Sequence, residues 1–419
     1  MKTLAQIEPR TPISSLPFTI TAPGSYYATT NLVGTREASG ITIEANNVTL
    51  DLSGFALIGN NGEHPGVWFS GQRQNVAVQN GSVSGWSVAV DASTAIFGRF
   101  ESLRLFDNGS HGLSAGVHSR VIGCSAYSNG GSGIVADTES LIKDCSARSN
   151  LQHGFKANSG SQVVGCTSTL NSENGISVER ICIVGNCNAY NNTRAGIAAG
   201  DMSQINGSSA ANNRESGIVV STNCVVNNCF VNINSHSGIV GGANCQITAS
   251  TASYNGQDGI ALAADGTVNN CTVSYNQANG IVSGPNSQIL ESKAFNNRRI
   301  GIRAETGSTV RACAAARNSG DGILVSSECT VASNSCNNNF NARDAAGIHA
   351  SGTDNCIKEN HVVSNDRGLL ADAAGNIIFK NTAANNTINF FLIDSQTMGP
   401  MFKGVGPIDV TNPWTNFEF

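Results

Sequence analysis

A glycine followed by a large apolar residue recurs every 21 residues along most of this chain, and that spacing limits the fold more than any other feature. Gly112, Gly133, Gly154, Gly175, Gly196 and Gly217 each precede Leu, Phe or Ile, and Gly238, Gly259, Gly280, Gly301 and Gly322 extend the row. The next members, Gly347-Ile348 and Gly368-Leu369, follow at steps of 25 and 21. An asparagine stands four residues ahead of each of the first eleven glycines, from Asn108 to Asn318. Asn339 continues that second row, and the extra residues follow it as FNAR. Two rows locked in step mark a repeat architecture, in which each unit buries its apolar face only by stacking on its neighbours.

The repeats read as strands. In GGSGIVADTESLIKDCSARSN, Ile134 and Ala136 alternate with Val135 and Asp137, a period of two. The row through Ile142 runs Val121, Ile142, Val163, Val184, Ile205, Val226 and onward to Val331, almost all β-branched residues that favour strand. The chain's 46 Gly, with abundant Asn and Ser, argue against helices. Strand-only repeats of this length stack in parallel. Leucine-rich repeats lack support in the pattern, and propeller blades are about twice as long. The expected fold is all-β, a right-handed single-stranded parallel β-helix of about 16 coils. Residues 1–39 are expected to cap one end, 40–387 to form the β-helix, and 388–419 to form a C-terminal capping tail, since an open coil would expose core and strand edges.

Segments such as CSAYSNGGSGI, CTSTLNSENGI and CTVSYNQANGI resemble the repeats of the pectate-lyase-like, right-handed parallel β-helix superfamily. The likeness spans about residues 40–390 and is nearest to the carbohydrate-binding and sugar-hydrolase type and the periplasmic copper-accessory type. PGSYYATTNL followed by GITIEANNVTLDLSGF is similar to the opening coils of secreted bacterial β-helix proteins. The resemblance implies an extracellular or cell-surface protein, although the start, MKTLAQIEPRTPI, has no apolar signal-peptide core. It also implies that catalysis, where present, sits in a flank groove built by inserted loops. The N-T-D, G-H-G and R-I-K motifs of polygalacturonases and the D-P-H-D of alginate epimerases are absent, so no catalytic residue carries over.

The Asn row is expected to mark a tight bend, with Asn itself in the left-handed region and its amide bonding to the coils on either side. Of 13 cysteines, Cys124, Cys145, Cys166, Cys187, Cys229, Cys271 and Cys313 share one row, with Ser at most of its gaps. A second row holds Cys182, Cys224, Cys245 and Cys329. Exchange with Ser points to buried free thiols packing as small apolar groups. Disulfides between adjacent coils are sterically allowed. His111, His153 and His236 lie in bends of coils that are not adjacent, which suits exposed loop residues better than a metal site, and no C-x-x-C occurs.

The insertion is the one break in the regular coils. It places Arg343 beside a bend whose neighbours supply Arg299 and Asp321, with Arg303 and His349 on one outward row two coils apart. A lyase acting on an acidic polysaccharide needs a base and a group that neutralises the substrate carboxylate, Arg or Ca²⁺. If the protein is an enzyme, Arg299, Asp321, Arg343 and His349 are its expected catalytic residues. A self-compensating charge patch fits the same residues. Arg303, Asp366 and Arg367 on the same edge, with Tyr254 and Tyr275 at equivalent places on adjacent coils, form the expected sugar-binding set, since stacked rings suit pyranose faces.

Three functional readings follow. The first is an extracellular or surface protein that binds polysaccharide or serves as a fibre component. The second is a polysaccharide lyase or glycoside hydrolase. The third is a periplasmic accessory or scaffold protein. No metal or cofactor is expected, save Ca²⁺ in the lyase reading. Polysaccharide is the expected partner. A net charge of -5 argues against a nucleic-acid-binding surface, and no apolar run suits a membrane span. The outward positions Val219, Val240, Ala261 and Val282, beside Ser221, Gly242, Ala263 and Gly284, form an uncharged strip. Such strips mark an interface, either with other copies in a side-by-side trimer or with the chain's own aromatic tail.

Overall fold

Every regular coil is built from three short strands, and the computed structural model describes residues 9–340, 344–404 and 411–419. Among the described residues there is no helix, and so none long and apolar enough to cross a membrane. The chain forms a right-handed parallel β-solenoid of about 18 turns, close to the 16 expected. It divides into two units, Met1–Arg214 and Glu215–Phe419.

In the first unit, one coil runs through strands Ile134–Ala136, Leu141–Lys143 and Ser146–Arg148. Each pairs in parallel with its equivalent one coil on: Ile134 with Phe155, Ile142 with Val163, and Ala147 with Ser168. The alternation read from the sequence sets the facing. Ile134, Ala136, Ile142 and Ala147 are fully buried, while Val135 and Lys143 look outward. Burying an Ile or Val in full contributes about 1.5–3 kcal/mol, repeated in every coil. Parallel pairing starts at Thr11–Ile13, which lies against Tyr26–Ala28. Trp86, the largest fully buried side chain, donates its indole N–H to Leu57 O at 3.2 Å.

The second unit repeats the scheme, with Ile239 on Ile260, Ile260 on Ile281 and Ile281 on Ile302. The insertion then shifts the register. Ile323 pairs with Ile348, 25 residues on, but Cys329 N bonds to Asn355, 26 residues on. One residue beyond the four in FNAR is therefore inserted between Gly347 and Asn355. The sequence hides it because the bend between Asn365 and Gly368 is one residue shorter, which restores the glycine spacing. The tail stacks on the last coils: Phe390 pairs with Leu369, and Phe417 with Thr382. Trp414 meets Phe379 edge-on at 5.0 Å, and the Phe402, Phe417 and Phe419 rings cluster within 6.3 Å.

The bends correct one expectation. The left-handed residue is the one before each ladder asparagine, as at Ser128, Ser149, Tyr254 and Tyr275, with φ near 55°. The asparagine itself turns inward and is buried. The glycine row answers to close packing. A Cβ at Gly280 would lie 2.5 Å from Gly301 O and 2.7 Å from Asn297 Nδ2, closer than any side chain tolerates.

Candidate functional site

The inward polar residues form ladders that serve the backbone. Asn276 shows the pattern. Its Oδ1 accepts the backbone N–H and the amide N–H of Asn255, both at 3.0 Å. Its Nδ2 donates to Ala252 O at 3.1 Å and to Asn297 Oδ1 at 3.0 Å. The cysteine rows do the same work, rather than packing only as small apolar groups. Cys124 N donates to Cys145 Sγ at 3.4 Å, and Cys145 Sγ donates to Lys143 O at 3.2 Å. Where Ser replaces Cys the bond persists, as in Cys271 N to Ser292 Oγ at 3.1 Å. The thirteen cysteines are all free, and all but Cys356 are buried. The bond from Cys124 and burial push the Cys145 thiol up to about 12, and burial pushes Cys271 to about 11. These thiols stay protonated and unreactive.

Two of the bend histidines are more enclosed than expected. His111 Nδ1 accepts the Ser132 N–H at 2.9 Å, and His153 Nε2 lies 2.9 Å from Glu173. Burial lowers the pKa of both, against the charge of Glu173 at His153. His236 is exposed, as expected.

Around the insertion, side chains bond to one another. His349 occupies the outward row through Arg303 and Leu324, and the next coil places Leu370 over it. Its Nδ1 lies 3.0 Å from Asp321 Oδ2 and its Nε2 lies 2.7 Å from Asp372 Oδ2. Asp321 Oδ1 accepts the Ala346 N–H at 2.7 Å. Burial disfavours the imidazolium, but Asp321 and then Asp372 outweigh it and raise the His349 pKa. A charged His349 donates through both nitrogens and holds no lone pair with which to take a proton. Nearby, Arg367 donates to Asp344 Oδ1 at 2.6 Å and lies 4.4 Å over the Phe391 ring, while Asp366 accepts the Ala345 N–H at 3.3 Å. Arg303 bonds Glu305 at 2.8 Å.

Of the expected catalytic set, the structure brings Asp321 and His349 together. Arg299 stands exposed on the bend next to Gly320, with no side-chain partner among the described residues. Arg343 lies outside the described residues. Of the expected binding set, Arg303, Asp366 and Arg367 are engaged within the protein. Tyr254 and Tyr275 stay exposed and stack at 4.8 Å with 3° between their planes. Phe295 meets Tyr275 edge-on at 6.1 Å. Sequence reasoning missed Asp372. Its signal was its place two residues beyond Leu370, which puts it on the same outward face as His349.

Residues 237–388 match a family model described as the right handed beta helix region. No curated protein matches the chain in sequence. Three similar solved structures are two epimerases and a glucanase. The Azotobacter vinelandii mannuronan C-5 epimerase AlgE4 A-module is 10% identical over 90% of this chain and 91% of its own, with a TM-score of 0.32. The periplasmic alginate epimerase AlgG is 11% identical over 85% and 78%, with a TM-score of 0.34. A GH87 alpha-1,3-glucanase catalytic domain in complex with tetrasaccharides is 14% identical over 69% and 60%, with a TM-score of 0.38. With three parallel strands per regular coil and an asparagine ladder in each unit, the chain has the right-handed parallel β-helix fold, and residues 237–388 match the family model of that region.

Proposed function

We propose that this protein binds polysaccharide, outside the cytoplasm or at a cell surface, without cleaving it. The exposed Tyr254–Tyr275 pair carries the reading. Two aromatic rings lie 56% and 42% exposed on a rigid bend, where they add apolar surface that the fold does not bury. Aromatic faces and edges of this kind suit the apolar faces of sugar rings. The charged cluster at the insertion supports binding over catalysis, since His349 is tied to two carboxylates. In the lyase or hydrolase reading, Asp321 and His349 would have to leave these arrangements to act. A panel of acidic and neutral polysaccharides tests the proposal. Wild type should bind at least one of them and release no unsaturated or reducing ends. Replacing both Tyr254 and Tyr275 by Ala should weaken binding at unchanged melting temperature. Release of new chain ends by wild type, absent in Asp321→Asn, would establish the enzyme instead.

Side-by-side association through Val219, Val240, Ala261 and Val282 belongs to the same proposal. These side chains remain part-exposed, and the described strands of the tail pair with the terminal coils. Light scattering should give a trimer that Val240→Glu disperses. A monomeric wild type would contradict it.

A further inference from the structure

The first unit carries a second set of aligned aromatics, arranged differently. One outward row on the third strand of successive coils reads Phe106, Tyr127, Arg148, Thr169 and Tyr190. Phe106 and Tyr127 stack at 4.9 Å with parallel planes, so the second face of Tyr127 looks along the row toward Arg148. Tyr190 stands three coils from Tyr127, roughly 14 Å away at one strand spacing per coil. Between them opens a groove of about 580 Å³, lined by both tyrosines, Arg148, Ser146, Thr167 and Thr169. Thr169 is short and 9% exposed, which leaves the layer between Arg148 and Tyr190 without an outer side chain.

Two observations point to a ligand. First, none of these six polar side chains makes a hydrogen bond or ion pair within the described residues, in contrast to the paired charges around His349. Second, no carboxylate lines the groove. Asp107 and Asp144 sit on the adjoining bends, and Asp144 lies 3.7 Å from Lys143. Arg104, one coil before Ser125, adds a second guanidinium with no partner among the described residues. A layer one strand spacing thick with no outer side chain, with a ring on one side and a guanidinium on the other, has the dimensions and charge for one anionic pyranose ring.

We propose, building on the polysaccharide-binding reading, that this groove takes a uronate residue of an acidic polysaccharide. Its ring fills the Thr169 layer against Tyr190, its carboxylate pairs with Arg148, and its hydroxyls bond Ser146, Thr167 and Thr169. Guanidinium–carboxylate pairing is planar and bidentate, which selects a carboxylate over a neutral sugar.

Titration calorimetry with hexameric oligouronates and a neutral glucan hexamer tests the assignment. Arg148→Gln should weaken oligouronate binding about ten- to hundredfold, the effect of losing a charge-assisted bond. The glucan should bind no better to wild type than to this variant. Thr169→Tyr fills the vacant layer with a ring continuing the row. It should block oligouronate at unchanged melting temperature. Wild-type affinity for oligouronate in both variants would overturn the groove. If that surviving affinity then vanishes when Tyr254 and Tyr275 are both replaced by Ala, polysaccharide binding stands and only the groove falls. No binding of any polysaccharide by wild type overturns both.

Discussion

The regular coils of the second unit and the coils at its insertion use polar side chains in opposite ways. From Asn234 to Asn339, buried Asn, Ser and Cys reach one coil along and satisfy backbone groups, each rung repeating the last. At and beyond the insertion the ladder survives, with Asn339 bonded to Asn365, but outward side chains now bond one another as Asp321–His349–Asp372 and Asp344–Arg367. The difference teaches that the fold is held by the rungs, and that the charged cluster is a local clamp over an irregular coil.

Breaking a rung should have the largest effect. Asn276→Leu removes four hydrogen bonds and takes these partners from buried groups of Ala252, Asn255 and Asn297 on the coils either side. Each orphaned group costs about 1–3 kcal/mol, so a loss on the order of 4 kcal/mol or more is expected in denaturant unfolding. An unchanged midpoint would show that the ladder is decoration.

Cutting the clamp should cost less. His349→Gln is expected to cost roughly 1–2 kcal/mol at pH 5.5, because Asp372 is half exposed and solvent screens it. The pH dependence has a definite sign. The folded pKa of His349 is raised, so its contribution is fully present below the unfolded value of about 6.5 and is lost as pH rises through the folded value. The gap in stability between wild type and His349→Gln should therefore be widest in mild acid and shrink at alkaline pH. The opposite trend would mean that His349 is held neutral. His111 and His153, whose pKa values are lowered, act in the other direction. Their contribution is lost as pH falls below about 6.5, where the unfolded chain takes up protons first.

Thiol accessibility sharpens the same contrast without changing stability. Cys356, the one cysteine not fully buried, should react first with a thiol reagent on native protein. The ladder cysteines should react only as the protein unfolds. Rapid modification of most of the thirteen would show that their rows face outward. The smallest effect is expected at the surface: Tyr254→Ala should change stability by no more than about 0.5 kcal/mol while weakening polysaccharide binding.

Most of the fold was legible because its information is local and periodic. The Gly and Asn rows, the β-branched row through Ile142 and the alternation at Ile134–Ala136 all recur at the spacing of one coil, and stacking turns that spacing into contact. What was not legible crosses the period. The extra residue between Gly347 and Asn355 is cancelled by a shorter bend at Asn365–Gly368, so the glycine count conceals it. Asp372 meets His349 through a two-residue offset across neighbouring coils. The thiol and hydroxyl bonds of the Cys and Ser rows were read as packing because both residue types are small, and only the bend geometry reveals what they donate to and accept from. Tyr254 and Tyr275 were placed correctly on adjacent coils, but their stacking on each other uses two of the four ring faces, whereas Tyr127 and Tyr190 stand far enough apart to leave a space between them.

Size-exclusion chromatography of the protein mixed with an acidic polysaccharide, after prolonged incubation, tests the central claim most directly. Binding without cleavage predicts that the polysaccharide elutes with the protein at its original chain length. A polysaccharide that elutes apart from the protein, or emerges shortened, would contradict the account.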